Sequence, residues 1–432
     1  MADAEPQSET NEGAPELFAG SPAVWAIEDR LAWVRRFRKA VVKGQDDLIA
    51  LAGEEVRKDA FEALVSDIVP LLSSCKWHER HARRVLRARR LRGGSVWQVG
   101  QRHWVRREPL GLVGIIATWN YPVQLLGIQL VQAVVAGNRV VVKPSERCPK
   151  TQGRLLEMAK EAGLTEDLLR VLPATREAGA AMLEREPLDH LVFTGSTEVG
   201  RVIAAALGPR LVPSTLELSG RDTAIVLEDA DIALAARSIG AAVRLNAGQT
   251  CMAPRRVLVA SQVAEAFAEL LREEAGRSTS MRLIDGSKCQ ARVEICGPDD
   301  ALVRGAHFEP VIAVTPCESI QDMLRVHWAV GQHLATSVFT QDVAKASALA
   351  GWLGSGTVTI NDAVIPTAHP GAPLPALGAS GWGVSRGELG LLSMTRPVHV
   401  SVTSRRVRVP TAPPSAKQAE QVKGFVRWWY GR

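Results

Sequence analysis

The chain has 432 residues, 46% of them hydrophobic and 23% charged, with a formal net charge of +6. That balance fits a globular protein long enough for two or three full cores and excludes a fibrous or low-complexity chain. Six cysteines without a CxxC pair or a His-rich spacing argue against a zinc site and a disulfide framework, and favour reduced, intracellular thiols.

The positive charge is uneven. Acids dominate residues 1–20, and arginines dominate 79–92. The arginine run reads as the wet side of a helix, so no nucleic-acid partner is expected. The N-terminus lacks a charged segment followed by an apolar run, and no apolar stretch reaches about eighteen residues, so a cytoplasmic protein without a transmembrane segment is expected.

Residues 1–20, acidic and aperiodic, read as a disordered arm. From Val24 to Arg92 the spacing of Leu31, Val34, Phe37, Val41 and Val42, and of Phe61, Leu64, Ile68 and Leu71, predicts helices. Residues 95–107 read as extended. Alternating strands and helices follow, with strands predicted over 112–118, 139–142, 169–172, 190–193 and 211–218. A second such block begins at Asp222, with strands over 224–227, 256–259, 311–314, 337–340 and 357–361. Residues 276–305 show no clear period, 363–390 read as loop, and the chain past Val398 is a basic tail in which 416–430 can form a helix. Apolar strands alternating with helices predict an α/β fold: a Rossmann-like parallel-sheet domain plus a second α/β domain. The boundaries are 21–218 for the helices and the first of these domains, 219–398 for the second and 399–432 for the tail.

Chemistry gathers at the strand ends, where such sheets bind ligands. After the first strand comes Ala-Thr-Trp-Asn-Tyr-Pro (117–122), in which the Asn120 amide is either an oxyanion donor or a loop hydrogen-bonder. The second strand runs into Lys143, Ser145 and Glu146, where a Rossmann-like sheet touches a ribose. Thr-Gly-Ser-Thr-Glu-Val-Gly (194–200) is a Gly-x-x-x-x-Gly turn opening a helix, suited to a phosphate. It is neither the dinucleotide fingerprint nor a P-loop. Glu217, between leucines in a buried strand, is a candidate general base with a raised pKa or a solvated strand end. Cys251 follows the small-residue loop Asn-Ala-Gly-Gln-Thr (246–250), and is a nucleophile only if something favours its thiolate.

In this order these segments resemble the NAD(P)-dependent aldehyde dehydrogenase family. The resemblance rests on 108–122, 136–146, 193–200, 216–220 and 246–251, on the 34 residues from Glu217 to Cys251, and on the glycine-rich closing segment 378–391. It covers roughly residues 25–400, and implies that 21–218 holds the cofactor domain and 219–398 the catalytic domain. It implies that Cys251 captures an aldehyde, that Asn120 and the Cys251 N–H form the oxyanion hole, and that Glu217 activates the hydrolytic water. It also implies cofactor contacts from Trp119, Lys143, Ser145, Glu146, Gly195, Ser196, Val199, Gly200 and Phe308. The Glu146 carboxylate would repel a 2′-phosphate, which favours NAD over NADP. The family's subunits pair through a segment such as 95–107, which implies a homodimer or homotetramer.

Three departures stand against this reading. Glu294-Ile-Cys-Gly-Pro298 imitates the family's ribose-binding motif. The register from Phe308 onward, however, places Ala306 where the family has a ribose-binding glutamate. Only 55 residues separate Cys251 from Ala306, so the catalytic domain is shortened. Leu-Pro-Ala (172–174) stands where the family has a glycine near the adenine. Two alternatives therefore stay open: a degenerate binding or assembly subunit, and a thiol acyl-transfer or esterase activity. The tail is expected to dock on the body or on a partner subunit, with peripheral membrane contact as its alternative.

Overall fold

The computed structural model describes residues 25–92, 94, 98, 100–277, 281–305, 307–404, 413 and 415–431. The 1–20 arm and Ala306 lie outside them. The chain divides into two compact units, one comprising residues up to 86 and 108–396, the other 87–107 and 397–432.

The larger unit opens with helices Ile27–Lys43, Gln45–Val56 and Val69–Leu86. Trp33, Val34, Phe37 and Val41 are fully buried on the first, while Val42 is turned outward at 45% exposure because it lies one step round the helix from Val41. Phe61, which also fits the helical spacing, is 73% exposed on the short helix Ala60–Ala63. Pro70 has no N–H to donate, and the turn before it widens: the Val69 N–H reaches the Leu64 carbonyl across a π-helical segment Leu64–Ile68.

Five parallel strands form the first sheet, in the spatial order Leu169–Val171, Arg139–Lys143, Leu112–Ile116, His190–Gly195, Ser214–Leu218. Chain order reverses direction between Leu112–Ile116 and His190–Gly195. The loops leaving those two strands therefore flank a crevice, the position where open α/β sheets take ligands. Helix Gln124–Val135, buried along its whole length, covers the sheet. A sixth strand, Gly381–Trp382, lies antiparallel to Ser214–Leu218, with Gly381 opposite Glu217. Only glycine fits there: Gly381 has φ 106°, and a Cβ would lie 2.0 Å from the Leu216 carbonyl oxygen.

The second sheet is parallel throughout, in the order Arg292–Ile295, Val311–Cys317, Arg256–Ala260, Thr223–Val226, Ala335–Phe339, Thr357–Ile360. Residues 363–390 are not all loop, since short 3₁₀ turns and two-residue strands punctuate them and a helix begins at Gly387 (Gly387–Ser393). The strand expected over 211–218 starts only at Ser214, because Leu211 is left-handed (φ 53°) after a 3₁₀ turn.

In the smaller unit, Arg89–Leu91 pairs antiparallel with Gln101–Pro109, and Thr395–Thr403 lies on the other side of Gln101–Pro109. The tail helix is Ala416–Tyr430. It starts from a capping box between Ser415 and Gln418. Among the described residues no helix is long and apolar enough to cross a membrane.

Candidate active site

Helix Ile232–Arg244 delivers the chain into the loop that carries Cys251. Asn246 (φ 51°), Ala247 (φ 50°) and Gly248 (φ 77°) are successive left-handed residues. Such backbone costs about 1–3 kcal/mol at each non-glycine position and persists only where surrounding bonds enforce it. The Asn246 N–H donates to the half-buried Glu62 carboxylate. Its side-chain amide donates to the carbonyls of Asn120 (3.0 Å) and Gln249 (3.1 Å). Arg255 Nη2 donates to the carbonyls of Gly248 (2.8 Å) and Thr250 (2.7 Å). A Cβ on Gly248 would lie 2.6 Å from the Pro310 nitrogen, so this position is restricted to glycine by contact as well as by φ.

Two cavities meet at this loop. One, about 340 Å³, has a largely apolar wall that includes Val65, Pro70, Leu125, Leu245, Met252 and Leu374. The other, about 370 Å³, is a cleft between the loops that leave the first sheet and the segment at His307 and Phe308. Thr194, Glu217 and Cys251 stand on the wall of both. Asn120 lines the cleft. Its amide nitrogen donates to the Gln249 carbonyl (3.0 Å), and its oxygen accepts from Thr118 (3.2 Å).

Burial dominates the charge balance. It pushes the Cys251 thiol up to about 12, with Asp222 and Glu217 adding to the shift and Arg386 and Arg255 opposing it. Burial also raises Glu217, against bonds from Ser385 and Thr194 and the charge of Arg386. One Glu217 oxygen is within 3.4 Å of the Thr194 hydroxyl, while the other is buried without a partner. A desolvated carboxylate with a free oxygen beside a thiol is an arrangement suited to taking a proton.

An ion pair outside the cavities braces the loop. Lys58 and Asp67, both buried, pair at 3.1 Å. Asp67 also accepts the Val123 and Gln124 N–H groups, and the Lys58 ammonium sits 3.8 Å from the centre of the Tyr121 ring. The Tyr121 hydroxyl meets the Thr250 hydroxyl at 2.5 Å. Lys58→Met leaves Asp67 a buried charge without its counter-ion and is expected to cost about 3–5 kcal/mol, read by equilibrium unfolding; a loss below about 1 kcal/mol would show that the two N–H groups alone satisfy the carboxylate.

Among the sequence-derived cofactor contacts, Trp119, Gly195, Ser196 and Phe308 line the cleft, with Trp119 and Phe308 edge-to-face at 6.0 Å. Ser196 caps helix Thr197–Leu207 by accepting the Val199 N–H. Gly200 packs the helix on the sheet, since a Cβ there would strike Leu218 at 2.5 Å. Lys143, Ser145, Glu146, Val199 and Gly200 are not part of the cleft wall. Lys143 is buried and pairs with Glu146 at 2.5 Å. Burial works to raise the Glu146 carboxyl, but Lys143 outweighs it and holds the group below the usual range. Ser145 is tied to Gln152 and Arg147. Glu294, in the look-alike motif, is exposed on the edge strand Arg292–Ile295.

The donor set suits a dinucleotide. The first turn of an 11-residue helix faces the cleft with Arg201 and Arg221, offering N–H groups and positive charge to a pyrophosphate. The aromatic rings of Trp119 and Phe308 stand on the same wall. Sequence reasoning missed Thr194, Ser385, Arg386, Asp222 and Arg255. Arg386 sits in a segment that reads as glycine-rich backbone, and its burial follows from the long-range pairing of Gly381 with Glu217.

The sequence profile of the aldehyde dehydrogenase family matches residues 6–290 and 293–400. The chain belongs to that family. As an aldehyde dehydrogenase it is an oxidoreductase that turns aldehydes into acids, with NAD or NADP as the family's cofactor. It is 28% identical to the 4,4'-diapolycopene aldehyde oxidase of a Methylomonas species, over 94% of this chain and 84% of that one. It is 30% identical to the benzaldehyde dehydrogenase [NAD(+)] of Pseudomonas putida, over 66% of each. The aldehyde dehydrogenase fold is also that of the NADP complex of glyceraldehyde-3-phosphate dehydrogenase GapN from Methanocaldococcus jannaschii, with TM-score 0.81, 21% identity, and coverage of 88% of this chain and 90% of that chain.

Proposed function

We propose that this aldehyde dehydrogenase oxidises its substrate through a covalent intermediate on Cys251, with Asn120 as oxyanion donor, Glu217 as base and NAD as the preferred cofactor. The observation that carries the reading is that Cys251 and Glu217 stand on the wall shared by the apolar cavity and the cleft. An aldehyde held in the apolar cavity approaches the sulfur from one side. The Cys251 thiolate adds to the carbonyl carbon, and the negative charge that develops on oxygen is met by the Asn120 amide and the Cys251 N–H. Bound in the cleft, a nicotinamide dinucleotide supplies the hydride acceptor. Glu217 then takes a proton from water, which attacks the Cys251 thioester and releases the carboxylate and the thiol. Ser196, the helix it caps, Trp119, Phe308, Lys143 and Glu146 are the groups that would hold the dinucleotide.

The test is reduced-nicotinamide formation on aliphatic, aromatic and semialdehyde substrates, with Cys251→Ser as control. The reading expects turnover that Cys251→Ser abolishes. Turnover that survives Cys251→Ser, or nitrophenyl-ester cleavage without any nicotinamide reduction, contradicts it.

The Glu146 carboxylate underlies the cofactor preference, because it would face a 2′-phosphate with like charge. Glu146→Ser is expected to shift the NAD-to-NADP ratio of kcat/KM toward NADP by about tenfold, equivalent to about 1.4 kcal/mol; an unchanged ratio would remove Glu146 from the cofactor site. The same reading takes 21–218 as the cofactor domain, 219–398 as the catalytic domain and the active form as a homo-oligomer.

A further inference from the structure

Arg386 is the only basic residue among the described residues on the wall of the apolar cavity, where it stands with Glu217 and Cys251. It is 7% exposed and forms no salt bridge among the described residues. Its backbone lies at φ 63°, ψ 162°, a region essentially reserved for glycine. A flexible surface arginine would leave that region, so the surrounding bonds must hold it. The Arg386 N–H donates to Gln132, and Nη1 donates to the Thr367 carbonyl at 3.0 Å. With the Gln124 amide oriented to satisfy both its ends, its oxygen accepts from Nη2 at 3.3 Å and its nitrogen donates to the Ser66 carbonyl at 3.1 Å. All these fastenings are to neutral groups. The charge of the guanidinium is therefore left to act across the cavity.

We propose that Arg386 is a positioning residue whose fixed cation keeps Glu217 ionised and stabilises the Cys251 thiolate. The proposal rests on the reading of Cys251 as the nucleophile. Without a cation, an ionised Glu217 beside a thiolate would place two like charges in an apolar cavity, and one would take up a proton. Asp222 and Glu217 face Cys251 as acids, and Tyr121 reaches its loop through Thr250. Arg255 and Arg386 oppose them. Arg255 is committed to the Gly248 and Thr250 carbonyls and lies over the Phe308 ring. Arg386 alone offers positive charge from the aldehyde side. Glu217 accepts from the Thr194 hydroxyl and shares the cavity wall with the guanidinium, whose charge opposes the rise of its pKa. Burial lowers the Arg386 pKa and the nearby Glu217 and Cys251 raise it, which is the reciprocal of its effect on them.

The test reads the thiol directly, without aldehyde or cofactor. Iodoacetamide modification of Cys251 in the full-length protein is followed against pH by peptide mass, with Cys251→Ser as background. Arg386→Gly is the informative variant, because glycine adopts this backbone without strain, and Arg386→Lys retains the cation. The expected result, read on the rising limb of the profile below the thiol pKa, is alkylation about ten- to a hundredfold slower at each pH in Arg386→Gly, equivalent to an upward displacement of about one to two pH units, and a profile close to wild type in Arg386→Lys. Superimposable profiles for Arg386→Gly and wild type overturn the proposal. So does an Arg386→Lys profile displaced as far as that of Arg386→Gly, since shape and hydrogen bonding rather than charge would then be responsible. A displaced profile in a protein that oxidises no aldehyde would sustain this inference while sinking the catalytic reading.

Discussion

Glu217→Gln is expected to release one equivalent of reduced nicotinamide per Cys251 and then stall, with steady-state turnover lower by about 10²-fold or more. Glutamine has nearly the same shape and can still meet Thr194, so the cavity should survive the change. It cannot accept a proton. Capture of the aldehyde and loss of hydride do not need a base at water, whereas hydrolysis of the thioester does. The pH dependence follows from the direction of the shift. Burial raises the Glu217 pKa above the ordinary glutamate value, so the basic form appears only above that raised value. Steady-state turnover in the wild type should climb with pH through it, and the limb should vanish in Glu217→Gln. Pre-steady-state absorbance on rapid mixing checks both points. A variant with a full steady-state rate would show that another group activates the water.

The second large effect is expected at Gly248. Alanine there meets two obstacles: φ 77°, and a Cβ 2.6 Å from the Pro310 nitrogen. Both neighbours in the contact are main chain, which has little room to yield. The loop that holds Cys251 must move, and the Glu309–Pro310 segment beside Phe308 must move with it. A displacement of about 1 Å at a reacting atom can cost about 10²-fold in rate, and the strained φ alone costs about 1–3 kcal/mol. Gly248→Ala should therefore lower both kcat/KM and Tm. Wild-type kinetics in a folded Gly248→Ala protein would mean that the loop geometry does not set the position of the thiol.

Much of the fold is legible in the sequence because its signals are local. The apolar runs at Val140–Val142, Leu191–Phe193 and Val257–Val259 become buried strands of parallel sheets. The tail helix starts where expected because Ser415 and Gln418 supply a capping box. Helices Ile320–Val330 and Val343–Ala350 escaped the reading, although Ser319 and Asp342 cap their starts and a left-handed Gly331 follows the first. Both are short, and Trp328 and Val343 face outward at 49% and 54% exposure, which blurs their period.

The candidate site divides in the same way. Asn120, Glu217 and Cys251 follow strands or loops whose order the sequence displays, and they line a common cleft. The unpartnered Glu217 oxygen, the left-handed Asn246–Ala247 pair and the buried Arg386 arise from contacts between distant segments. The pairing of Gly381 with Glu217, 164 positions apart, brings Ser385 and Arg386 to the base. Periodicity and motif spacing carry no trace of such a contact.

The claim at the centre of this account is that Cys251 becomes covalently acylated. Glu217→Gln incubated with NAD and a turned-over aldehyde, then digested and mapped by mass, tests it most directly. Thiol addition followed by oxidation adds the mass of the aldehyde less two hydrogens. The account predicts that increment on the peptide containing Cys251, dependent on NAD and removed by Cys251→Ser in the same background. The increment on a peptide carrying Cys75, Cys148, Cys289, Cys296 or Cys317 instead, or no increment while reduced nicotinamide accumulates, would contradict it.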